Sequence, residues 1–80
     1  MKISEILQKA GLNSEEKEIR MGIVNGWNSN RIKLSRDLKK FIIEGSGKER
    51  SLGRCYTEYS YEVTDGIDTY LVTYTVDSSD

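Results

Sequence analysis

The stretch Arg54-Cys-Tyr-Thr-Glu-Tyr-Ser-Tyr-Glu-Val-Thr-Asp-Gly-Ile-Asp-Thr-Tyr-Leu-Val-Thr-Tyr-Thr-Val76 decides the fold class. It is rich in Tyr, Thr and Val, which suit a pleated surface, and Asp65-Gly66 divides it as a two-residue type I′ turn would. With that loop, Thr64 pairs with Ile67. Cys55, Thr57, Tyr59, Tyr61 and Val63 then share one face with Val76, Tyr74, Val72, Tyr70 and Asp68. The other face carries Arg54, Tyr56, Glu58, Ser60, Glu62 and Thr64 with Asp77, Thr75, Thr73, Leu71, Thr69 and Ile67, and an Arg54–Asp77 ion pair would close it. A three-residue loop would mix the apolar and polar faces, so the patterning selects the two-residue register. A two-stranded hairpin is marginal in water, so its Tyr/Val face requires a cover.

The amino-terminal half supplies that cover as helices. Ile3, Ile6, Leu7 and Ala10 recur at helical spacing after a Ser4 cap, and Gly11 ends the run. Asn13 or Ser14 caps a second segment, with Asn13-x-x-Glu16 in capping-box form and Ile19, Ile23, Val24 and Trp27 on one stripe. Gly22 and Gly26 weaken a helix there, and Ile19, Met21 and Ile23 also alternate as a strand would, so residues 19–24 stay open between a favoured helix and a strand. Asn25 to Asn30 is a turn by composition. Ser35-Arg-Asp-Leu opens a third helix that buries Leu34, Leu38, Phe41, Ile42 and Ile32 and stops at Gly45, and Gly45 to Gly53 forms a flexible connector. The fold class expected is α+β, with two or three N-terminal helices packed on a C-terminal antiparallel β-hairpin, open to extension by a third strand or by dimerisation. All 80 residues form one small domain.

Composition limits the chemistry. The chain has no His and one Cys, so it lacks the commonest general base, the commonest transition-metal ligand and any intramolecular disulfide. Cys55 has no histidine to activate it and falls on the apolar face, where it packs as a small hydrophobe. Glu58 and Glu62 are about 13 Å apart along a strand, too far to share an ion. Asp65-Gly-Ile-Asp lacks the alternating ligands of a calcium loop, and Gly45-Ser-Gly-Lys lacks the spacing and element order of a phosphate loop. Neither an enzyme nor a cofactor is expected. The amino terminus mixes Lys2, Glu5 and Lys9 with its apolar residues, which fits no signal peptide or membrane anchor and points to the cytoplasm.

The formal net charge of −1 conceals two regions of opposite sign. Residues 31–54 carry eight cations against three acids, and residues 55–80 carry six acids and no cation. The leading expectation is a small inhibitor or adaptor, of the size that phages and other mobile elements encode. It would bind a protein with a basic surface through Tyr56, Glu58, Glu62, Asp65 and Asp68 of the hairpin, with Trp27 as an aromatic anchor. The unpaired hairpin edge would also admit a partner strand or a homodimer. The alternative is nucleic-acid binding through Arg31, Lys33, Arg36, Lys39 and Lys40, since three helices followed by a hairpin is the element order of a winged helix. The acidic hairpin opposes that alternative, because phosphate would repel it.

Overall fold

The computed structural model describes residues 2–78. In chain order these form α1 (Ile3–Lys9), β1 (Glu18–Ile23), a 3₁₀ turn (Val24–Gly26), α2 (Ser29–Lys39), β2 (Lys48–Ser51), β3 (Tyr56–Thr64) and β4 (Thr69–Asp77). The strands make one four-stranded sheet in the order β1-β4-β3-β2, with β1 parallel to β4 and the other pairs antiparallel. This overturns the expected helices-on-a-hairpin architecture. Among the described residues there are two short α-helices, and the hairpin is the centre of a mixed sheet with a strand on each side. Both hairpin edges are occupied by strands of the same chain, including the edge expected to admit a partner strand or a second copy. The winged-helix element order is absent as well. Asp80, counted in the acidic third, lies outside the described residues.

The register differs from the expected one by two positions. Thr64 pairs with Thr69, Val63 with Tyr70, Tyr61 with Val72 and Tyr59 with Tyr74, around a four-residue loop Asp65–Asp68. The Asp65 side chain is the reason: its Oδ1 accepts from the N–H groups of Ile67 and Asp68, both at 2.9 Å. Thr64 Oγ1 adds a bond to the Asp68 carbonyl at 3.0 Å. A two-residue turn would forgo these bonds. Because the shift is even, it preserves strand parity, and Tyr59, Tyr61, Val63, Tyr70, Val72 and Tyr74 still share a face.

Asp65 also explains the start of α1. Ser4 does not cap this helix; the N-cap is Lys2, without a side-chain bond, and the Ile3 N–H instead donates to Asp65 Oδ2 at 2.8 Å. At the other end, Gly11 adopts φ +76°, and the Gly11 and Leu12 N–H groups donate to the Gln8 and Leu7 carbonyls in a Schellman closure.

Residues 18–23 form a strand, against the favoured helix. Asn13 accepts from Glu15 N–H at 2.8 Å in a local turn, and no capping box forms. Ile19 and Met21 alternate into the core, and β4 pairing satisfies the backbone through Glu18↔Leu71, Ile19↔Val72 and Arg20↔Thr73. The register then slips before Ile23↔Thr75. Gly22 supplies the slip at φ +77°, a conformation that costs residues with a Cβ about 1–2 kcal/mol.

The remaining helix, α2, begins at Ser29 and not near Ser35, because Asn28 Oδ1 accepts from Arg31 N–H at 3.0 Å. It buries Leu34 and Leu38 and ends at Lys39, well before Gly45. Beyond it, the Phe41 carbonyl accepts from Thr64 N–H at 3.0 Å, and Ile43 N–H donates to the Glu62 carbonyl at 2.8 Å. Pairing with the end of β3 draws this segment out of the helix and leaves Ile42 exposed. The expected flexible connector is also structured. Ser46 Oγ donates to the Ile43 carbonyl and accepts from Glu62 N–H, and Lys48–Ser51 pair with β3. The core lies between the helices and the inner sheet face, where Ile3, Ile6, Leu7, Leu34 and Leu38 meet Ile19, Met21, Val63, Tyr70 and Val72.

Candidate functional site

The residues expected to bind a protein partner fall into three separate places. Tyr56, Glu58 and Glu62 project from the outer face of β3, the side opposite the core. Tyr56 is 42% exposed and lies across from Asp77. Glu58 accepts from Arg50 of β2 at 3.0 Å, so this acid is matched by a neighbouring cation. Asp65 and Asp68 sit at the hairpin tip. Asp65 is engaged with the turn and α1, and the backbone N–H groups of Asp68, Ile3 and Ile67 lower its pKa to about 2. Asp68 pairs with Lys17 at 3.0 Å, a bond that raises the lysine pKa above its ordinary value. Trp27 belongs to the inner face, and so does not join an acidic surface.

The cations of the alternative reading divide too. Arg31 turns toward the sheet, where Nη1 donates to the Arg20 carbonyl at 3.4 Å. Lys33, Arg36, Lys39 and Lys40 are exposed and make no ion pair among the described residues. Lys33 and Lys40 join Lys9, Asn30 and Asp37 around a groove of ≈ 420 Å³ between α1 and α2, floored by Ile6, Ala10 and Leu34.

A different site emerges where the helices stop. Tyr59 and Tyr74, directly opposed on β3 and β4, stack with ring centroids 5.4 Å apart and 19° between planes. Tyr61 meets Tyr74 edge-on at 6.3 Å, and Trp27 does so at 6.0 Å. The three tyrosines, with Gly47, Lys48, Glu49 and Ser60, line an open cleft of ≈ 390 Å³ to which no helix contributes. The register places Glu49 on the same face as Tyr59, and Lys48 with Ser60 on the other. Glu49 is exposed and makes no ion pair among the described residues. Burial, then the neighbouring Tyr74, raises the Tyr61 pKa, so its ring is a neutral phenol throughout the physiological range. The buried Trp27 indole N–H has no hydrogen-bond acceptor among the described residues.

Sequence reading assigned these tyrosines to a covered core and Glu49 to a linker. The signal for the first was the concentration of all five tyrosines in the hairpin. For Glu49 there was none, since Lys48-Glu-Arg-Ser has neither strand propensity nor an apolar alternation. The described residues contain no cluster of three side chains suited to hold a metal ion, and no helix long and apolar enough to cross a membrane. No family model, curated protein or solved structure matches this chain.

Proposed function

We propose that this is a non-enzymatic binding protein, a cytoplasmic inhibitor or adaptor that engages another protein through the inner, helix-free end of its hairpin. The observation that carries this reading is the half-buried cluster of Tyr59, Tyr61 and Tyr74 in a cleft that no helix lines. Tyrosine supplies large contact area with a polar tip at low entropic cost, which is why it is favoured at interface centres. Glu49 at the rim, in no ion pair among the described residues, suits a partner with a basic surface. The acids first expected to form that interface are a weaker basis for it, because Glu58, Asp65 and Asp68 already have partners within the chain.

Affinity capture from the native cell tests the reading by difference. A partner retained by the natural chain and by Glu58→Lys/Glu62→Lys, but lost with Tyr59→Ser/Tyr61→Ser, supports the inner face. Loss with the outer-face pair alone would reverse the assignment.

A second reading rests on the unmatched cations of the helical layer. Lys9, Lys33, Arg36, Lys39 and Lys40 would contact the phosphates of a nucleic acid without reading its sequence. Retardation of random-sequence duplex that falls steeply with salt, and disappears in Lys33→Glu/Lys40→Glu, supports it. Unaltered mobility at low salt removes it.

A further inference from the structure

We propose that the tyrosine cleft receives an arginine side chain presented by the partner protein. This rests on the protein-binding reading and names the chemistry of its central contact. Aromatic ring faces are negative, and a guanidinium lies flat against them with less loss of hydration than an ammonium. Here Tyr59 and Tyr74 form a stacked pair, Tyr61 stands edge-on to Tyr74, and all three line one cleft. Glu49 borders the same cleft directly across from Tyr59, with its carboxylate unclaimed by any cation among the described residues. A planar cation over the rings would place its N–H fork within reach of that carboxylate, the geometry in which arginine binds bidentately. Lys48 borders the cleft but makes no cation–ring contact there: among the described residues the two such contacts are Lys17 on Tyr70 and Lys40 on Phe41, both away from the cleft. Lys48 and Glu49 border a hollow on the outer face of the same strands as well as the cleft; what distinguishes that hollow is that no aromatic ring lines it and that its further acid, Glu58, is already paired with Arg50.

The test is an NMR titration of the full chain with the blocked peptide acetyl-Gly-Arg-Gly-amide, with its citrulline analogue as the neutral isostere. The expected result is a saturable set of shifts at Gly47, Glu49, Tyr59, Tyr61 and Tyr74 for arginine. Citrulline should bind at least about fivefold more weakly. Glu49→Gln, an exposed edge-strand change compatible with the fold, should weaken arginine binding about two- to fivefold. Tyr61→Leu should weaken it about two- to thirtyfold, with retained core chemical shifts showing that the chain is still folded. Equal shifts for citrulline, or arginine shifts confined to Glu58 and Glu62, would overturn the proposal. A captured partner that is lost with the tyrosine variants but indifferent to Glu49→Gln, and that has no arginine at its contact, overturns the arginine assignment and leaves the protein-binding reading in place. Conversely, peptide shifts confined to the cleft together with capture that survives Tyr59→Ser/Tyr61→Ser leave a cleft that takes arginine but overturn its role in holding the captured partner, whose contact then lies on another face.

Discussion

Asp65 shows how much one side chain does in a chain of this size. Its two carboxylate oxygens accept from Ile67, Asp68 and Ile3, so a single residue sets the hairpin loop and anchors the first helix. Its pKa is about 2 in the folded protein, below the ordinary aspartate value of about 3.9 in the unfolded chain. The sign follows directly: the stability it contributes is fully present above pH 4 or so and is lost as pH falls through about 2. Urea midpoints measured from pH 5 to pH 2 should therefore decline for the natural chain and decline less for Asp65→Asn, which should start lower. A contrasting pair of aromatic residues tests hydrogen-bond satisfaction. Buried Tyr70 donates its hydroxyl to the Ser14 carbonyl at 3.1 Å, so Tyr70→Phe should cost about 1 kcal/mol in chemical denaturation. Trp27 has an indole N–H with no acceptor among the described residues, and Trp27→Phe removes that buried donor while keeping a ring beside Tyr74, so its cost should stay below about 1 kcal/mol. The turn at Asp65-Gly66 was visible in the sequence; the role of Asp65 as a cap for Ile3 was not, because it joins residues far apart in the chain.

At the scale of elements, β1 and β2 are the instructive cases. The alternation of Ile19 and Met21 was legible, but it did not outweigh a helical stripe drawn through Ile19, Ile23, Val24 and Trp27. What decides for the strand is a parallel partner, β4, which local patterning cannot reveal. Gly22 accommodates the slip in that pairing, so Gly22→Ala should destabilise by about 1–2 kcal/mol. Gly47→Ala, with open space around the added Cβ and no positive φ, should shift the thermal midpoint little. β2 carries Lys48, Glu49 and Arg50 on an edge, the charged composition that discourages uncontrolled strand addition. That same composition disguised it as a loop, and with it the one carboxylate of the candidate cleft.

For the whole molecule, the uneven charge has resolved into matched and unmatched parts. Ion pairs occupy the sheet and its tip at Lys17–Asp68, Arg20–Glu18 and Arg50–Glu58, while the outward cations of α2 have no acidic partner among the described residues. All three pairs are largely exposed, and exposed pairs contribute little, so packing holds the domain together. Leu38 is completely buried beneath α2, and Leu38→Ala should cost about 2–5 kcal/mol. For 80 residues the total stability is of order 4–12 kcal/mol, so that variant should show a large fall in urea midpoint, with partial unfolding at physiological temperature. The sequence by itself determined the position of the hairpin, the composition of its two faces and the end of the first helix. Each follows from local periodicity or from a glycine whose backbone freedom acts on its neighbours. Only the tertiary structure decided the four-stranded order, the two-position register and the place where the helices leave tyrosine uncovered. Those depend on pairings between distant segments, in which β4 aligns β1, Asp65 reaches Ile3, and β3 recruits residues that carry no strand signal of their own.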